Sequence, residues 1–433
     1  MSFLYFAYGS NLWPPQMLSR CSSAVALGRV SLEGWSAVYD KPSRDGSSKL
    51  NIIPDAGQTV LGVVYDVDEE ERSDLDRAEH LYEPLEVTVR TVSGRSVQAL
   101  TYRWVGPAHG GPPYDWYVAM AQAGAAHHGL PASYYSNHLG VQSAADPIAA
   151  GIEPVSGDDL ARMQDVLSEA VAAQGTRYSI HPGDLAWWIH RADPRHADQI
   201  SYWMQEDDAV LMVDAGKSEM AAFARPGVSP IPLIDWGQRR LEGRGTLGWV
   251  SDDDSELVDH LHSDGYEPVD VDHRYEWDLV YKPIPEPSVE GGWILRAVQG
   301  KHEVDARRRA AHAAFQSTMD PKVNLDRYSR FARSPVYEVD RDLVAVAPDG
   351  TIAAFMIWWP DRSGVAQIEP FGTHPDYQRL GVGRALIHFA LHEMRKAGMS
   401  VARVMTRERK DSKSFYSGVG FDHVGTLRWW QRG

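Results

Sequence analysis

The order of hydrophobic and polar positions divides the first part of the chain into short strands. Runs of β-branched and aromatic residues are separated by Gly, Asp, Ser and Pro, which is typical of a β-rich domain. The predicted strands are 36–42, 49–54, 60–67, 84–89 and 96–104. A helical stretch follows from Asp115, and Gly129 and Pro131 end it.

Two Pro- and Gly-rich stretches, 144–159 and 282–292, indicate linkers. They predict three domains, at residues 1–147, 158–284 and 292–433.

The second and third predicted domains share a pattern that indicates an internal repeat. Residues 209–224 and 342–357 each predict a strand, a tight turn and a strand that ends in Ala-Ala-Phe. Residues 261–267 and 416–422 each predict a helix end, a Gly and an aromatic residue that begins a strand. The second copy is longer, and its extra residues contain the most informative motif of the chain.

That motif predicts a strand, a glycine turn and a helix. The strand covers 367–373, Gly381 and Gly383 begin the helix, and Gly398 ends it. Free N–H groups and the positive end of the helix dipole favour a pyrophosphate at such a turn. The alternative is a glycine turn that only packs a helix on a sheet.

The stretch Tyr-Phe-Ala-Tyr-Gly-Ser-Asn-Leu at 5–12 predicts a strand that runs directly into a turn. Consecutive N–H groups in such a turn form a concave site for a carboxylate, and Gly9 lets a ligand approach the backbone. An ordinary turn at the end of a strand is the alternative.

Composition and charge narrow the classes of protein. With 433 residues, 43% hydrophobic and 24% charged, the chain is globular and too long for one core. Its net charge of −16 argues against non-specific nucleic-acid binding. Cys21 is the single cysteine, which fits a cytoplasmic protein. The negative charge leads us to expect no nucleic-acid partner. No signal peptide or membrane-spanning run is recognised, so we expect no membrane partner either.

Residues 378–385, Gln-Arg-Leu-Gly-Val-Gly-Arg-Ala, closely resemble the acetyl-CoA signature of the GCN5-related N-acetyltransferases (GNAT). The stretches Thr-His-Pro-Asp-Tyr-Gln-Arg at 373–379 and Ser-Phe-Tyr-Ser-Gly-Val-Gly-Phe at 414–421 are similar to that family too. The resemblance implies acetyl-CoA as co-substrate, and it implies a set of binding residues. These are Ile368, Phe371, Gly372, Thr373, Gln378, Arg379, Leu380, Gly381, Val382, Gly383 and Arg384.

The same resemblance implies catalytic roles. Tyr416 would protonate the leaving thiolate, and Glu369 would be the base for the incoming ammonium, with a strand carboxylate in a salt bridge as an equal alternative. The first copy lacks the glycine turn and has Leu261 at the position of Tyr416. We therefore interpret it as a degenerate GNAT-like domain. The histidines between His181 and His196 lack metal-site spacing, so we interpret that stretch as an aromatic-rich strand and turn and predict no metal.

Residues 1–145 resemble the γ-glutamylcyclotransferase-like family, a small β-barrel with flanking helices, through 5–12, 45–54, 60–68, 75–80 and 124–139. The resemblance implies that the turn binds the γ-glutamyl part of a substrate through Tyr8, Gly9, Ser10, Asn11 and Leu12. It also implies Glu79 as the catalytic base, and a solvated helix glutamate is the alternative.

These observations predict an α+β multidomain chain, a small β-barrel followed by two mixed α/β GNAT-like domains. The predicted function is bifunctional. A γ-glutamyl amide would be cyclised to 5-oxoproline with release of an amine, and an amine of a small molecule would be acetylated. The alternative is an acetyltransferase with a non-catalytic γ-glutamyl-binding module, and no oligomeric state is predicted.

Overall fold

In the computed structural model the chain forms two compact units. The structure describes residues 2–108, 110–148, 150–174, 180–191, 200–241, 243–407 and 410–432. Unit 1 consists of Met1–Ser156, Arg195–Ala222 and Pro232–Glu242, and unit 2 consists of Gly157–Pro194, Phe223–Ile231 and Gly243–Gly433. Residues 158–284, predicted as a separate domain, are divided between the two units. The three-domain division stays a prediction.

A closed five-stranded barrel begins unit 1, which confirms the predicted small β-barrel. The strands follow the order β1-β3-β2-β4-β5 around the barrel. They are β1 (Ser2–Ala7), β2 (Val25–Pro42), β3 (Ser48–Asp68), β4 (Glu83–Thr91) and β5 (Ser96–Arg103). Tyr5, Phe6 and Ala7 of β1 are buried in the barrel, so the end of β1 is held by the core.

The second and third strands are longer than the sequence predicts. The predicted strands 49–54 and 60–67 are both parts of β3, which is 21 residues long. Pro54 pairs with Trp35 and Thr59 pairs with Glu33, so only Gly34 faces the four residues between them. Gly34 has φ of +81°, which suits the bend. Residues 55–58, Asp-Ala-Gly-Gln, form this irregularity, and the strand continues beyond it.

The barrel strands are followed by helices and a short antiparallel sheet. Unit 1 also contains α1 (Pro14–Arg20), α2 (Arg72–Ala78), α3 (Asp115–His127), α4 (Ala132–Tyr134), β6 (Ile152–Val155), β7 (Ile200–Gln205) and β8 (Ala209–Asp214). Strands β6 and β8 pair antiparallel with the two edges of β7. Strand β9 (Glu219–Ala224) and helix α7 (Ile231–Arg240) follow β8 in the chain.

Unit 2 contains eight neighbouring strands of a mixed sheet. Its strands are β10 (Thr246–Ser251), β11 (Tyr266–Asp278), β12 (Ile294–Ala297), β13 (Asp342–Val346), β14 (Ile352–Pro360), β15 (Val365–Thr373), β16 (Val401–Arg407) and β17 (Asp422–Arg432). Their order is β12-β13-β14-β15-β16-β11-β17-β10. The helices are α5 (Leu160–Gln174), α6 (Pro182–Arg191), α8 (Ser255–Ser263), α9 (Val304–Ala314), α10 (Pro321–Phe331), α11 (Val382–Lys396) and α12 (Lys410–Val419).

Strand β11, from the first sequence copy, lies between β16 and β17 of the second copy. It pairs antiparallel with all of β16, from Val401 to Arg407, and with β17 on its other edge. Strand β17 in turn pairs with β10 of the first copy. Glu276 of β11 accepts a hydrogen bond from Arg403 Nε at 2.9 Å, and both side chains are buried. The two sequence copies therefore exchange strands.

The interpretation of residues 181–196 as a strand and turn is wrong for the described part. Pro182–Arg191 is a helix, α6, with Pro and Gly in its first turn, and its residues Leu185, Ala186 and Trp187 are buried. Pro is tolerated in the first turn of a helix because a backbone N–H at that position would have no partner within the helix. His196 lies outside the described residues. No helix in the described ranges is both long and apolar enough to cross a membrane.

We predict that Glu276→Gln lowers the free energy of unfolding by about 3 kcal/mol or more, measured by urea unfolding. The substitution removes the charge that compensates the buried Arg403 guanidinium, and breaking a buried pair from one side is costly. Arg77→Gln is the matched control, because its pair with Asp74 is exposed and is worth under about 1 kcal/mol. A loss of less than 1 kcal/mol for Glu276→Gln would contradict a structural role for this pair.

Candidate active sites

The Gly-Ser-Asn turn of unit 1 is built around a buried amide. Residues Ser10–Leu12 form a 3-10 turn in which the Leu12 N–H donates to the Gly9 carbonyl oxygen at 2.9 Å. The Asn11 side chain is buried, and its Nδ2 donates to Tyr5 Oη at 2.8 Å. An ordinary surface turn would not bury its asparagine, so the interior side of this turn carries a polar group.

Glu79 faces this turn. It directly follows α2, and its Oε1 accepts a hydrogen bond from Asn11 Nδ2 at 3.1 Å. Arg20 Nη1 forms an ion pair with the same oxygen and donates to Asn11 Oδ1 at 2.8 Å. The Glu79 side chain is only 12% exposed. The hypothesis that Glu79 is the catalytic base requires its carboxylate to lie beside the turn, and the structure meets this requirement. Its role as a base stays a prediction.

Tyrosines surround the turn and add no charge to it. Tyr8 Oη donates to the Tyr102 carbonyl oxygen at 2.7 Å, and Tyr82 Oη donates to the Leu50 carbonyl oxygen at 2.9 Å. Burial raises the pKa of Tyr117 to about 12 and raises the pKa values of Tyr8 and Tyr82 well above their ordinary value. These phenols therefore stay protonated and act as neutral hydrogen-bonding groups.

Two basic residues of this site carry no motif. Besides Arg20, Lys41 lies with its Nζ 4.6 Å from the centre of the Tyr82 ring. Burial lowers the pKa of Lys41, and the Glu79 charge opposes that change. Sequence reasoning missed both, because each is one of 43 basic residues and its place becomes visible only after folding.

In unit 2, strands β15 and β16 form a fork. They pair in parallel from Val365 with Val401 to Ile368 with Val404, where the pairing ends. Immediately afterwards Glu369 and Pro370 both face Ile357 of β14, which is a β-bulge. A bulge bends its strand, so β15 leaves β16 at this point. The proline within the strand was the sequence signal for the bulge.

The glycine turn of the GNAT-like motif begins α11, as predicted. Gly381 precedes the helix with φ of +84°, and Arg379 has φ of +63°. The first turn of α11 has no acidic residue, so its positive dipole end is not compensated. A Cβ on Gly383 would lie 2.9 Å from Thr373 Oγ1, so this glycine lets the helix approach β15. Gly383 thus has a packing role, and the anion-binding role of Gly381 stays a prediction.

Tyr416 of α12 lies close to the same strand. Its ring centre is 6.4 Å from that of Phe371, and a Cβ on Gly383 would lie 3.3 Å from Phe371 Cζ. The glycine turn, β15 and Tyr416 therefore converge. Burial, assisted by the Glu369 charge, raises the pKa of Tyr416, so the phenol keeps its proton.

The remaining predicted binding residues lie along β15 and in the turn that follows it. Ile368 is buried, while Phe371, Gly372 and Thr373 are half-buried at the end of β15. Gln378 Nε2 donates to the Thr373 carbonyl oxygen at 3.3 Å, which ties the turn to the strand. The other predicted positions, Leu380, Val382 and Arg384, flank the two glycines at the start of α11.

Glu369 has an acidic neighbour that sequence reasoning did not identify. Asp184 of α6 is fully buried, and its Oδ2 accepts the His181 backbone N–H at 3.0 Å. Burial raises the pKa of Asp184 to about 7, and the Glu369 charge adds to this rise. A buried carboxyl that titrates near neutrality can exchange protons at physiological pH.

Comparisons with known proteins match two different parts of the chain. Residues 59–138 match the AIG2-like family, and residues 309–421 match the acetyltransferase (GNAT) family. The chain is 32% identical over 142 residues to γ-glutamylcyclotransferase of Bos taurus and 29% identical to that of Homo sapiens. Each of these matches covers 31% of this chain and 75% of the relative.

Solved structures resemble different parts of the chain. A γ-glutamyl cyclotransferase is 26% identical with a TM-score of 0.32, covering 33% of this chain and 90% of that protein. A GCN5-related N-acetyltransferase from Sphaerobacter thermophilus is 14% identical with a TM-score of 0.45, covering 65% of this chain and 94% of that protein.

The family matches define a fusion of two enzyme classes, a cyclotransferase-like domain and an acyltransferase domain. The chain belongs to the γ-glutamylcyclotransferase-like (AIG2-like) family and also carries a GNAT acetyltransferase domain at residues 309–421. The two resemblances seen in the sequence, and the prediction that the chain is an enzyme, are therefore confirmed.

The raised pKa of Asp184 predicts a pH-dependent stability. The folded carboxyl holds a proton up to about pH 7, whereas the unfolded one loses it near pH 4. Its contribution is therefore complete below about pH 4 and is lost as the pH rises through about 7. Relative to Asp184→Asn, which stays neutral, the wild type should lose on the order of 2–3 kcal/mol between about pH 5 and 8.

Urea unfolding of both proteins at several pH values measures this difference. Asp74→Asn is the control, because Asp74 is in an exposed ion pair and its replacement should leave the pH profile of the wild type unchanged. Parallel profiles for the wild type and Asp184→Asn would show that Asp184 is ionised throughout this range.

Proposed function

We propose that the chain is a bifunctional enzyme, a γ-glutamyl amide cyclotransferase and an acetyl-CoA-dependent N-acetyltransferase of small-molecule amines. The observation that chiefly supports the cyclotransferase activity is the hydrogen bond from the buried amide of Asn11 to the Glu79 carboxylate. The acetyltransferase activity is supported by the glycine turn and Tyr416, which meet at the open end of the strand fork.

In the cyclotransferase reaction, the α-amine of the γ-glutamyl group attacks its own γ-carbonyl carbon. The new C–N bond closes 5-oxoproline, and the original amide C–N bond breaks. Glu79 takes the proton from the α-ammonium and returns it to the departing amine. The backbone of Tyr8, Gly9, Ser10, Asn11 and Leu12 holds the γ-glutamyl part. General-base help of this kind is worth roughly 10²–10⁴ in rate.

In the acetyltransferase reaction, the residues of unit 2 bind, orient and move protons. Bound acetyl-CoA supplies an acetyl thioester that an amine can attack. The N–H groups from Gln378 to Arg384 hold its pyrophosphate, since Gly381 leaves space beside the uncompensated helix end. Glu369 receives the proton of the acceptor ammonium, and Tyr416 gives a proton to the departing thiolate.

The two activities suit one sequence of reactions, because the first releases an amine and the second modifies one. A shared substrate is part of this proposal, and its motivation is the fusion of both domains in one chain. We also keep the cytoplasmic location as part of it, since a single buried cysteine suits a reducing compartment.

A second candidate function for unit 1 is binding without catalysis. The ion pair between Arg20 and Glu79 favours it, because a carboxylate fixed by an arginine and an asparagine can serve as an anchor for the ammonium group of a ligand. Unit 1 would then recognise a γ-glutamyl group without cleaving its amide.

Glu79→Gln should lower the release of 5-oxoproline from a γ-glutamyl amide by about 10²-fold or more, because glutamine cannot accept the proton. Chromatographic detection of 5-oxoproline measures this, together with the melting temperature. Glu70→Gln, an exposed acidic residue of the same stretch, is the control and should change neither. Unchanged turnover in Glu79→Gln would remove the catalytic role. Binding without any turnover by the wild type would favour the binding module.

Tyr416→Phe should reduce the rate of acetylation by about tenfold or more and leave the Kd of acetyl-CoA within about twofold. The phenol acts on a charge that develops only in the transition state, so its loss spares ground-state binding. Coenzyme A release with a panel of amines and calorimetry with acetyl-CoA measure the two quantities. Tyr275→Phe, a neighbouring buried tyrosine, is the control. Full turnover by Tyr416→Phe would leave this residue a packing role only.

A further inference from the structure

A cavity of about 550 Å³ lies beside the bulge of β15 in unit 2. Helices α9 and α10 supply most of its wall, and Glu369 and Pro370 of the bulge supply another part. Its volume is in the range of small-molecule sites, which are typically about 300–1,000 Å³. Because Glu369 is the proposed base of the acetyltransferase, this cavity is the place for the acceptor.

Arg307 of α9 lines this cavity and is fully buried. Its Nε donates to Asp342 Oδ1 at 2.7 Å, and its guanidinium carbon lies 4.0 Å from the centre of the Phe355 ring. Among the described residues, Nη1 and Nη2 have no hydrogen-bond partner. One nitrogen and the rings of Phe355 and Tyr328 thus hold the guanidinium in place, and its two terminal nitrogens make no hydrogen bond to the described residues.

Asp342 cannot satisfy those two nitrogens as well. Its other oxygen, Oδ2, accepts hydrogen bonds from Tyr328 Oη at 2.6 Å and Tyr337 Oη at 3.0 Å. A buried donor without a partner costs roughly 1–3 kcal/mol, so buried donors are nearly always satisfied. The unsatisfied pair of nitrogens therefore indicates an occupant of the cavity that accepts two hydrogen bonds side by side.

The charge of the cavity wall favours an acidic occupant. Three arginines, Arg307, Arg308 and Arg327, line the cavity, and Glu369 is the one acidic side chain among the described lining residues. Asp305 forms an ion pair with Arg308, which offsets part of the positive charge of the wall. His312 Nδ1 is buried, and no partner for it lies in the described parts of the chain. A carboxylate matches the two terminal nitrogens of Arg307, because its two oxygens accept two parallel N–H···O hydrogen bonds.

We propose that the acceptor is an amino acid, whose carboxylate binds Arg307 Nη1 and Nη2 and whose amine is the group acetylated. This inference rests on the proposed acetyltransferase function and specifies its substrate class. The same cavity then holds both ends of the acceptor, the carboxylate at Arg307 and the ammonium on the side of Glu369. An amine that lacks a carboxylate leaves the two buried nitrogens unsatisfied and binds more weakly.

Matched acceptor pairs test this proposal on the full chain. Leucine is compared with isopentylamine, and phenylalanine with phenethylamine, because each pair differs only by the carboxylate. Coenzyme A release gives kcat and KM for each acceptor, and calorimetry gives Kd for each acceptor and for acetyl-CoA. The wild type should prefer the amino acids by about tenfold or more in kcat/KM, the scale of a lost charge-assisted pair of hydrogen bonds.

Arg307→Lys keeps the positive charge beside Asp342 and removes the two terminal guanidinium nitrogens. It should abolish most of the preference by raising KM and Kd for the amino acids, with the values for the decarboxylated amines and for acetyl-CoA unchanged. Arg309→Lys is the matched control, because Arg309 is on the same helix and 67% exposed. If Arg307→Lys does not fold, the comparison of amino acids with amines on the wild type still decides.

The outcomes separate this inference from the proposed function. Acetylation without a preference for the carboxylate overturns the inference and leaves the acetyltransferase intact. Amino-acid binding that requires Arg307 but yields no acetylation supports only the carboxylate site at Arg307, and it overturns both the acceptor role of the amino acid and the proposed acetyltransferase function. A loss of acetyl-CoA affinity in Arg307→Lys, with the acceptor preference retained, would place the cofactor rather than the acceptor at this arginine and overturn the inference.

Discussion

The pairing of β16 with β11 is the constraint on which unit 2 depends. Strand β16 is bonded to β11 along its whole length and to β15 only as far as Val404. The buried pair of Glu276 and Arg403 fixes the register of these two strands. Because β16 follows β11, the bulge at Glu369–Pro370 can carry β15 away from it. The sheet stays continuous, and the backbone edges of both strands face an opening.

In unit 1 a buried polar cluster around Asn11 fixes the position of the candidate site. One side chain, Asn11, uses its two amide hydrogens on Tyr5 and Glu79 and its oxygen on Arg20. Each of these groups comes from a different part of the chain, so a single amide defines their relative positions. The barrel supplies the rigid support, because the strand that leads into the turn is buried. In both units a rigid sheet positions a short irregular segment.

Local signals in the sequence were sufficient for the elements that are themselves local. The glycine turn, the apolar face of α11 and its end at Gly398 follow from spacing over a few residues, and the structure agrees. The side chains that depend on long-range packing could not be predicted. Arg20, Asp184 and Arg307 acquire their roles from partners far away in the chain, and no short pattern distinguishes them from solvated residues.

The errors have physical causes of the same kind. The aromatic residues around Trp187 suggested a strand, but Pro182 and Gly183 begin a helix because the first turn tolerates both. The stretch Asp-Ala-Gly-Gln at 55–58 suggested the end of a strand, but pairing on both sides of Gly34 carries β3 through the irregularity. Apart from these errors, β11 and β17 each pair with strands of the other sequence copy, and the three-domain division stays a prediction.

Because the two sequence copies exchange strands, the peptide that connects them is not needed to hold the two halves of unit 2 together. Residues 282–292 have no helix or strand, yet the segments on either side are joined by the ladders of β11 with β16 and β17. A protease that cuts the peptide would leave two fragments held together as a non-covalent complex. Neither fragment would have a complete sheet by itself, since each contains a strand that belongs to the ladder of the other. The two halves of unit 2 are thus one cooperative folding unit, although the sequence presents them as duplicates.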